Sequence, residues 1–475
     1  MPRATRCGFH GAAVRDSVRA ARRNGRLADV DTIETLRGQR GDVGHLFQGD
    51  RVHRDVYTSP EIFALEQERL FARTWLFLGH ASQVPKPGDF ITTELVGRPL
   101  ILLRAADKSL RVVMNRCAHK GAKVLTDPAG NTGRALRCPY HGWSYRLDGS
   151  LLGLPIQKDY EGTRLRECEN GKGLERIASA ERRGFVFVRL GGEGPSFEEY
   201  FGPALSFLDM MADRSPEGEL EAIVPPLRVS IKCNWKIYLE NINDSLHVFA
   251  AHEPTMIAGR QIWSPKTPDE PRPMAVEQIA GFQSSTGFEF VEKMGARVMP
   301  EGHSLLGLGG SVHSHYGEDP AYLAAMTKAY GEERAKAILA YMPQNAVIYP
   351  SLAMKGSPQV MRVLRPLAAD RTLLEAWCFR AKGAPPMMAE RSMLYNRLVF
   401  SPMSLVAQDD VHVFETAQKS LGASGNPWVS LHRGHRPGEE GESGKDRSGI
   451  DEIVLRNQHR AWVKYMAPAL AGAAA

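Results

Sequence analysis

Six cysteines among 475 residues are too few to staple a fold with disulfides, which removes the small secreted scaffolds from consideration. No apolar run approaches the ~18–20 residues that cross a bilayer, so no membrane span is expected. Neither sign of charge dominates: 60 Lys and Arg stand against 54 Asp and Glu, and a net +6 spread over this length does not describe a nucleic-acid binder. The first 45 residues carry Arg15, Arg19, Arg22, Arg23 and Arg26 with no apolar stretch behind them. They read as a basic leader without a fold of its own, not as an export signal. Internal repeats are absent, and low complexity is confined to the short alanine tail. A reducing cytoplasm fits this inventory.

What is present is ordinary globular material. Hydrophobic residues make up 43% of the chain, enough for sizeable cores, and the length suits two or three domains. Ser59-Pro60-Glu61 supplies a capping hydroxyl, a proline at the first helical position and an acid in the first turn. A helix is expected there, with Ile62, Phe63, Leu70 and Phe71 on its apolar face. From about Asp89 the texture turns to strands over 90–95, 100–104 and 110–115, separated by turn-like stretches at 96–99 and 105–109. A further strand over 184–190 runs into Gly191-Gly192-Glu193-Gly194-Pro195, the best internal boundary in the sequence. Beyond it lies a larger α+β region, with helices over 234–251 and after Asp319-Pro320. Strands over 345–349, 359–364 and 372–379 follow, the last two joined by a short turn and therefore antiparallel. The stretch 432–449, rich in glycine and charge, reads as a solvent loop. The expected division is a leader over 1–45, a helical lead-in over 46–84, a β domain over 85–195 and a larger domain over 196–475.

Two Cys–His pairs stand out. Cys117-x-His119-x-Gly121 and Cys138-Pro-Tyr-His141-Gly142-Trp143 are separated by 18 residues. The other four cysteines (Cys7, Cys168, Cys233, Cys378) lack such a partner and read as leader or core thiols. Two thiolates and two imidazoles can hold one zinc, or a [2Fe–2S] cluster with the cysteines on one iron and the histidines on the other. The cluster is favoured because each pair mixes Cys with His, where zinc fingers segregate them. The pairs also fall at strand-to-loop junctions, where two loop tips can clamp a cluster from opposite sides. Both motifs resemble the ligand loops of a Rieske domain. That resemblance assigns Cys117 and Cys138 to one iron, His119 and His141 to the other, and a shielding role to Trp143. Imidazole ligation would raise the reduction potential above that of an all-cysteine cluster.

A Rieske domain leaves most of the chain unaccounted for, and a second constellation follows it. Asp244 and His247, three apart, share one face of a helix. His247 and His252, five apart, stand about 140° around an ideal helix, so both reach one metal only if the helix unwinds or ends between them. Glu253-Pro254 fits an end there. Alone, two histidines at this spacing are weak evidence. Asn234-Trp-Lys, Glu240-Asn241, Asp244, His247 and His252 together resemble the mononuclear-iron motif of Rieske non-haem iron aromatic-ring-hydroxylating oxygenases, large (α) subunit. Two histidines and one carboxylate form the facial triad that holds Fe(II) with positions left open. The resemblance places the carboxylate at Asp410; Asp409 is the alternative ligand, or else the neighbour that caps the following helix. It gives Asp244 a bridging role, accepting from His247 and from His141 of the partner subunit, and hence implies a trimer.

The same resemblance implies the fold class: α+β, a small antiparallel Rieske β sandwich joined to a helix-grip-type catalytic domain with a large antiparallel sheet. It implies a terminal oxygenase component that takes O2, and electrons from NAD(P)H through a reductase or ferredoxin, and cis-dihydroxylates an aromatic compound. The assembly would be an α3 core, with a small β subunit in the α3β3 group that the chain length suits. A monooxygenase or demethylase would use the same metal sites. An electron-transfer Rieske protein would leave Asp410 and the 244–252 motif without purpose, and a zinc-stabilised binding module is the remaining alternative. Asn241 stands beside the iron, and Phe249, Phe400, Leu405 and Val406 are pocket candidates that suit an aromatic ring. A substrate carboxylate would call for an arginine: Arg260, Arg362 and Arg365 are available. Arg116, Lys120, Lys123, Arg134 and Arg137 surround the Cys–His loops, where they form either a docking face for an acidic electron donor or a solvated basic rim.

Overall fold

The computed structural model describes residues 42–467, apart from 262, 268–269, 271, 277, 279–286, 309–310, 313–318 and 442. Residues 1–41 of the expected leader, and the side chains of Arg260 and Leu405, lie outside the described residues. Among the described residues no helix is long and apolar enough to cross a membrane.

Helix α1 (Pro60–Glu66) starts where the sequence predicts, with the Ser59 hydroxyl accepting from the Ile62 N–H at 3.2 Å. It ends on Glu66, a fully buried carboxylate. Three donors converge on it: the indoles of Trp235 (2.9 Å) and Trp462 (2.6 Å) and the ammonium of Lys236 (2.5 Å). Burial lowers the pKa of Lys236, and the Glu66 charge opposes that shift. A buried ion is tolerated only when paired and hydrogen-bonded, and here one acid ties three distant stretches of chain.

Residues 76–189 form three small antiparallel sheets. Strands β1 (Leu76–His80), β2 (Asp89–Leu95), β3 (Arg98–Arg104), β4 (Leu110–Met114) and β5 (Ala129–Asn131) come first. Strands β6 (Ala135–Arg137), β7 (Ser144–Arg146), β8 (Leu151–Gly153), β9 (Ala178–Arg182) and β10 (Phe185–Arg189) follow. The orders are β4-β3-β2-β5, β6-β7-β8 and β9-β10-β1. Strand β3 explains a run that does not alternate, Leu100-Ile101-Leu102-Leu103. Successive side chains point to opposite faces. Ile101 and Leu103 fill the small core around Leu136, Trp143 and Tyr145, whereas Leu100 and Leu102 join the main core.

The catalytic region is built on eight antiparallel strands. They are β11 (Leu220–Ile231), β12 (Ala296–Val298), β13 (Ser304–Leu306), β14 (Asn345–Ile348), β15 (Leu352–Lys355), β16 (Val360–Ala368), β17 (Arg371–Ala381) and β18 (Asp446–Arg447), in the order β11-β17-β16-β15-β14-β13-β12-β18. One face meets the β9-β10-β1 sheet, with Phe77 edge-on to Trp377 (5.3 Å) and Arg365 donating to the Phe77 carbonyl. The opposite face, through Val360, Ala376 and Cys378, packs on the long helix 386–400. The two faces separate two of the arginine candidates. Arg362 and Arg365 are three apart on β16 and therefore point in opposite directions. Arg365 is committed to a buried pair with Glu375 (3.1 Å), so it serves the domain contact and not the pocket.

Three expectations need correction. The single helix over 234–251 is broken: α2 (Trp235–Asn243) stops at Asp244, whose backbone is extended, and α3 (Val248–Ala251) begins after it. The stretch 432–449 is not a plain solvent loop, since β18 closes the large sheet and buried Glu439 clamps Arg456, which is itself fully buried. Of the spare cysteines within the described residues, Cys233 and Cys378 are core thiols, but Cys168 is exposed.

Candidate active site

The two Cys–His loops share one geometry. In each, the cysteine carbonyl accepts from the N–H of a glycine four residues on, Gly121 (3.0 Å) and Gly142 (3.1 Å). Both glycines have positive φ, +78° and +70°, a conformation that a side chain would strain. These tight turns set Cys117 and Cys138 inside and bring the rings of His119 and His141 to 4.7 Å. Trp143 stacks on His119 at 4.9 Å, and the Tyr145 hydroxyl lies 3.0 Å from Cys117 Sγ. Burial, and then the neighbouring Cys117, raises the pKa of Cys138. His119 Nδ1 is buried without a hydrogen-bond partner, a vacancy that metal ligation would satisfy. Two buried thiols and two imidazoles on facing turns fit a [2Fe–2S] cluster.

The second site lies where helices α2 and α3 meet the later helices α4 (Glu253–Gln261) and α5 (Leu405–Leu421). The break at Asp244 brings His247 and His252 together, with ring centroids 5.3 Å apart. Asp410 Oδ1 stands 3.7 Å from His247 Nε2 and 3.4 Å from His252 Nε2. His247, His252 and Asp410 offer donor atoms that all lie within 4.8 Å of one another. Donors about 2.1 Å from one ion at near-right angles stand about 3 Å apart, so this trio fits a single divalent metal.

Neighbouring side chains hold the trio in place. Asn241 donates to Asp410 Oδ1 at 3.1 Å. Asp409 does not cap the helix: Ser404 does, accepting from Ala407. Asp409 instead accepts from the Thr255 hydroxyl (2.9 Å) and faces His252 Nδ1 (3.3 Å), which orients that imidazole. Asp244 accepts from the backbone N–H groups of Leu246 and His247, lies 3.5 Å from His247 Nδ1, and receives Arg433 at 3.0 Å. Burial would raise its pKa, but His247, Leu246 and Arg433 outweigh that and leave it lowered. Glu240 points elsewhere, to Tyr57 (2.7 Å) and His459 (2.8 Å).

A cavity of about 260 Å³ opens beside the trio, lined among others by Phe249, Phe400, Val406 and Val399. Phe249 packs on Phe288 at 5.0 Å, and the Arg362 guanidinium lies over the Phe400 ring at 5.0 Å. Sequence reasoning missed Thr255, Arg433, Tyr238 and Lys355. The first three are polar residues whose partners come from distant segments. Lys355 ends a strand whose neighbours bury it.

Comparisons with known proteins agree with this geometry. Residues 74–167 match the Rieske [2Fe-2S] domain family, and residues 213–468 match the catalytic domain of the ring-hydroxylating alpha subunit. Together they define an enzyme of the Rieske non-haem iron oxygenase class. The second match spans more than half of the sequence, and the chain belongs to the ring-hydroxylating alpha-subunit family. It is 29% identical to the anthranilate 1,2-dioxygenase large subunit of Acinetobacter baylyi, over 87% of this chain and 88% of that one. It is 28% identical to the N,N-dimethyl phenylurea N-demethylase subunit alpha of a Sphingobium species, over 86% and 90%. Among solved structures, a naphthalene 1,2-dioxygenase variant bound to phenanthrene superposes with a TM-score of 0.71 at 25% identity, covering 90% of this chain and 94% of that one.

Proposed function

We propose that this chain is a terminal oxygenase that adds both atoms of O2 to an aromatic ring, giving a cis-dihydrodiol with two electrons and two protons supplied. The observation that carries this reading is the convergence of His247, His252 and Asp410 beside a largely apolar cavity. When bound, the cluster supplies single electrons and the ferrous ion supplies O2 chemistry. The chain's own part is to hold, orient and shield. Cys117, Cys138, His119 and His141 hold the cluster. His247, His252 and Asp410 would hold the iron, while Asn241 and Asp409 fix the ligand side chains and the apolar walls exclude water.

Asp244 links the two centres across a subunit boundary, facing His247 in its own chain and His141 of the partner subunit. That arrangement makes the functional unit a trimer, to which a small β subunit binds. Exposed Arg116, Lys120, Lys123, Arg134 and Arg137 form a basic rim around the Cys–His loops. That rim suits an acidic ferredoxin or reductase, through which NAD(P)H is the electron source. Free thiols suit a reducing cytoplasm. The lead-in over 46–84, the Rieske domain over 85–195 and the catalytic domain over 196–475 are the working units.

A relative named as an N-demethylase favours one second reading, monooxygenation at the same site. Turnover under 18O2 with a reductase and NADH separates them. A diol carrying two labelled atoms supports dioxygenation, one labelled atom per product supports monooxygenation, and no O2 consumption with any aromatic tested contradicts both.

A further inference from the structure

The cavity beside the metal trio is largely apolar, and two cationic side chains are buried at its sheet side. Lys355 is 5% exposed and Arg362 is 7% exposed, and both line the cavity. Their placement follows from strand register. Ala353 on β15 faces Arg362 on β16, so Lys355, two residues further, lies on the same face and diagonal to Arg362. Among the described residues no carboxylate lies within ion-pair distance of either. Arg362 donates to Asn345 Oδ1 at 2.6 Å and bonds the Tyr238 hydroxyl, and Lys355 donates to the Gln344 carbonyl at 2.6 Å. A guanidinium has five hydrogens to donate and an ammonium three, so these neutral acceptors leave donors on both side chains unused and the guanidinium charge uncompensated.

Arg214, also buried, is met by backbone carbonyls, whereas three other buried cations have carboxylate partners. Arg365 has Glu375, Lys236 has Glu66, and Arg456 has Glu439 and Asp451. Arg362 and Lys355 lie side by side without an anion, and burial, then Arg362, pushes the Lys355 pKa well down, so an anion beside them would favour the protonated lysine. An arrangement so costly is one that an anionic ligand completes.

Resting on the oxygenase reading above, we propose that Arg362 and Lys355 form an anion subsite and that the substrate is a single-ring aromatic carboxylate. Its carboxylate would meet the two cations and its ring would lie between Phe400, Val406 and the metal trio. Size agrees: an apolar cavity of about 150 Å³ takes one benzene, and about 260 Å³ takes one ring with its substituents.

The test compares binding of benzoate, benzamide and inorganic phosphate to the purified full chain by calorimetry at pH 7.5. Benzamide keeps the shape of benzoate and lacks its charge. Benzoate is expected to bind about 100-fold tighter than benzamide, and phosphate weakly. Arg362→Gln and Lys355→Met should each erase most of that preference, weakening benzoate far more than benzamide. Equal or tighter binding of benzamide overturns the proposal, as does phosphate binding that matches benzoate or a benzoate preference untouched by either substitution. Binding is read without turnover. Iron and sulfide on the same sample therefore report separately on the oxygenase reading, so a failed preference in an iron-replete protein counts against the subsite alone.

Discussion

Glu66 offers a quantitative test of how the catalytic helices are held. Its carboxylate is fully buried and receives the indole N–H groups of Trp235 and Trp462 and the ammonium of Lys236. Replacing it by glutamine keeps the volume and removes the charge, so Lys236 is left buried without a counterion and one amide hydrogen faces a donor. Breaking a buried pair from one side costs about 3–5 kcal/mol. With an unfolding entropy of about 2.1 cal/mol/K per residue, 475 residues give about 1 kcal/mol per degree. Glu66→Gln should therefore lower Tm by about 3–5 °C, a small shift because the protein is large. The double variant Glu66→Gln/Lys236→Met removes both charges, and should recover at least half of the loss. The assay is calorimetry on the wild type, both single variants and the double variant. A Tm loss below about 1 °C for Glu66→Gln, or strictly additive losses in the double variant, would refute the view that this pair anchors α2.

Three further outcomes follow from the same structure. Asp410→Ala should remove the mononuclear iron and leave the cluster's sulfide and visible spectrum unchanged. Asp409→Ala, which frees His252 and Thr255, should instead weaken iron binding by about 10–100-fold, read by metal titration. His303 is buried with Nδ1 accepting from the Tyr349 N–H (3.0 Å) and Nε2 donating to the Tyr200 carbonyl (2.8 Å), and burial pushes its pKa down to about 4. The unfolded chain protonates near pH 6.5, so the stability this group contributes is present above that pH. It is lost as pH falls towards 4, by about 1.4 kcal/mol per unit. His80, likewise pushed down by burial to about 4, adds the same sign. Urea midpoints should fall from pH 6.5 to 4.5, and a His303→Gln variant should show a shallower fall; an unchanged slope would contradict the assignment.

Much of this was legible in the sequence because metal chemistry constrains both residue type and spacing. The Cys117–His141 loops, the 247/252 pair and Asp410 stand out in the sequence, and the structure brings each set together; the cap at Ser59 was readable too. What failed was local geometry set by distant partners. The spacing of Asp244 and His247 suggested one helical face, but the Asp244 side chain captures two backbone N–H groups and breaks the helix, which is how His247 reaches His252. Asp409 looked like a cap because it sits near a helix start, yet the Ser404 hydroxyl was the true signal. Glu439 hid in a glycine-rich stretch, and nothing local announces that Arg456 needs it. The arginine question was half soluble: Arg362 and Arg365 differ by an odd number on one strand, so both could not face the pocket. Which one does so depends on the sheet that packs behind Arg365.

The central claim is that one chain carries two different iron centres. Iron, zinc and acid-labile sulfide should be measured on anaerobically purified protein, with the visible spectrum before and after dithionite. The account predicts about three irons and two sulfides per chain in a red-brown protein that bleaches on reduction. A colourless protein with one zinc and no sulfide would contradict it outright.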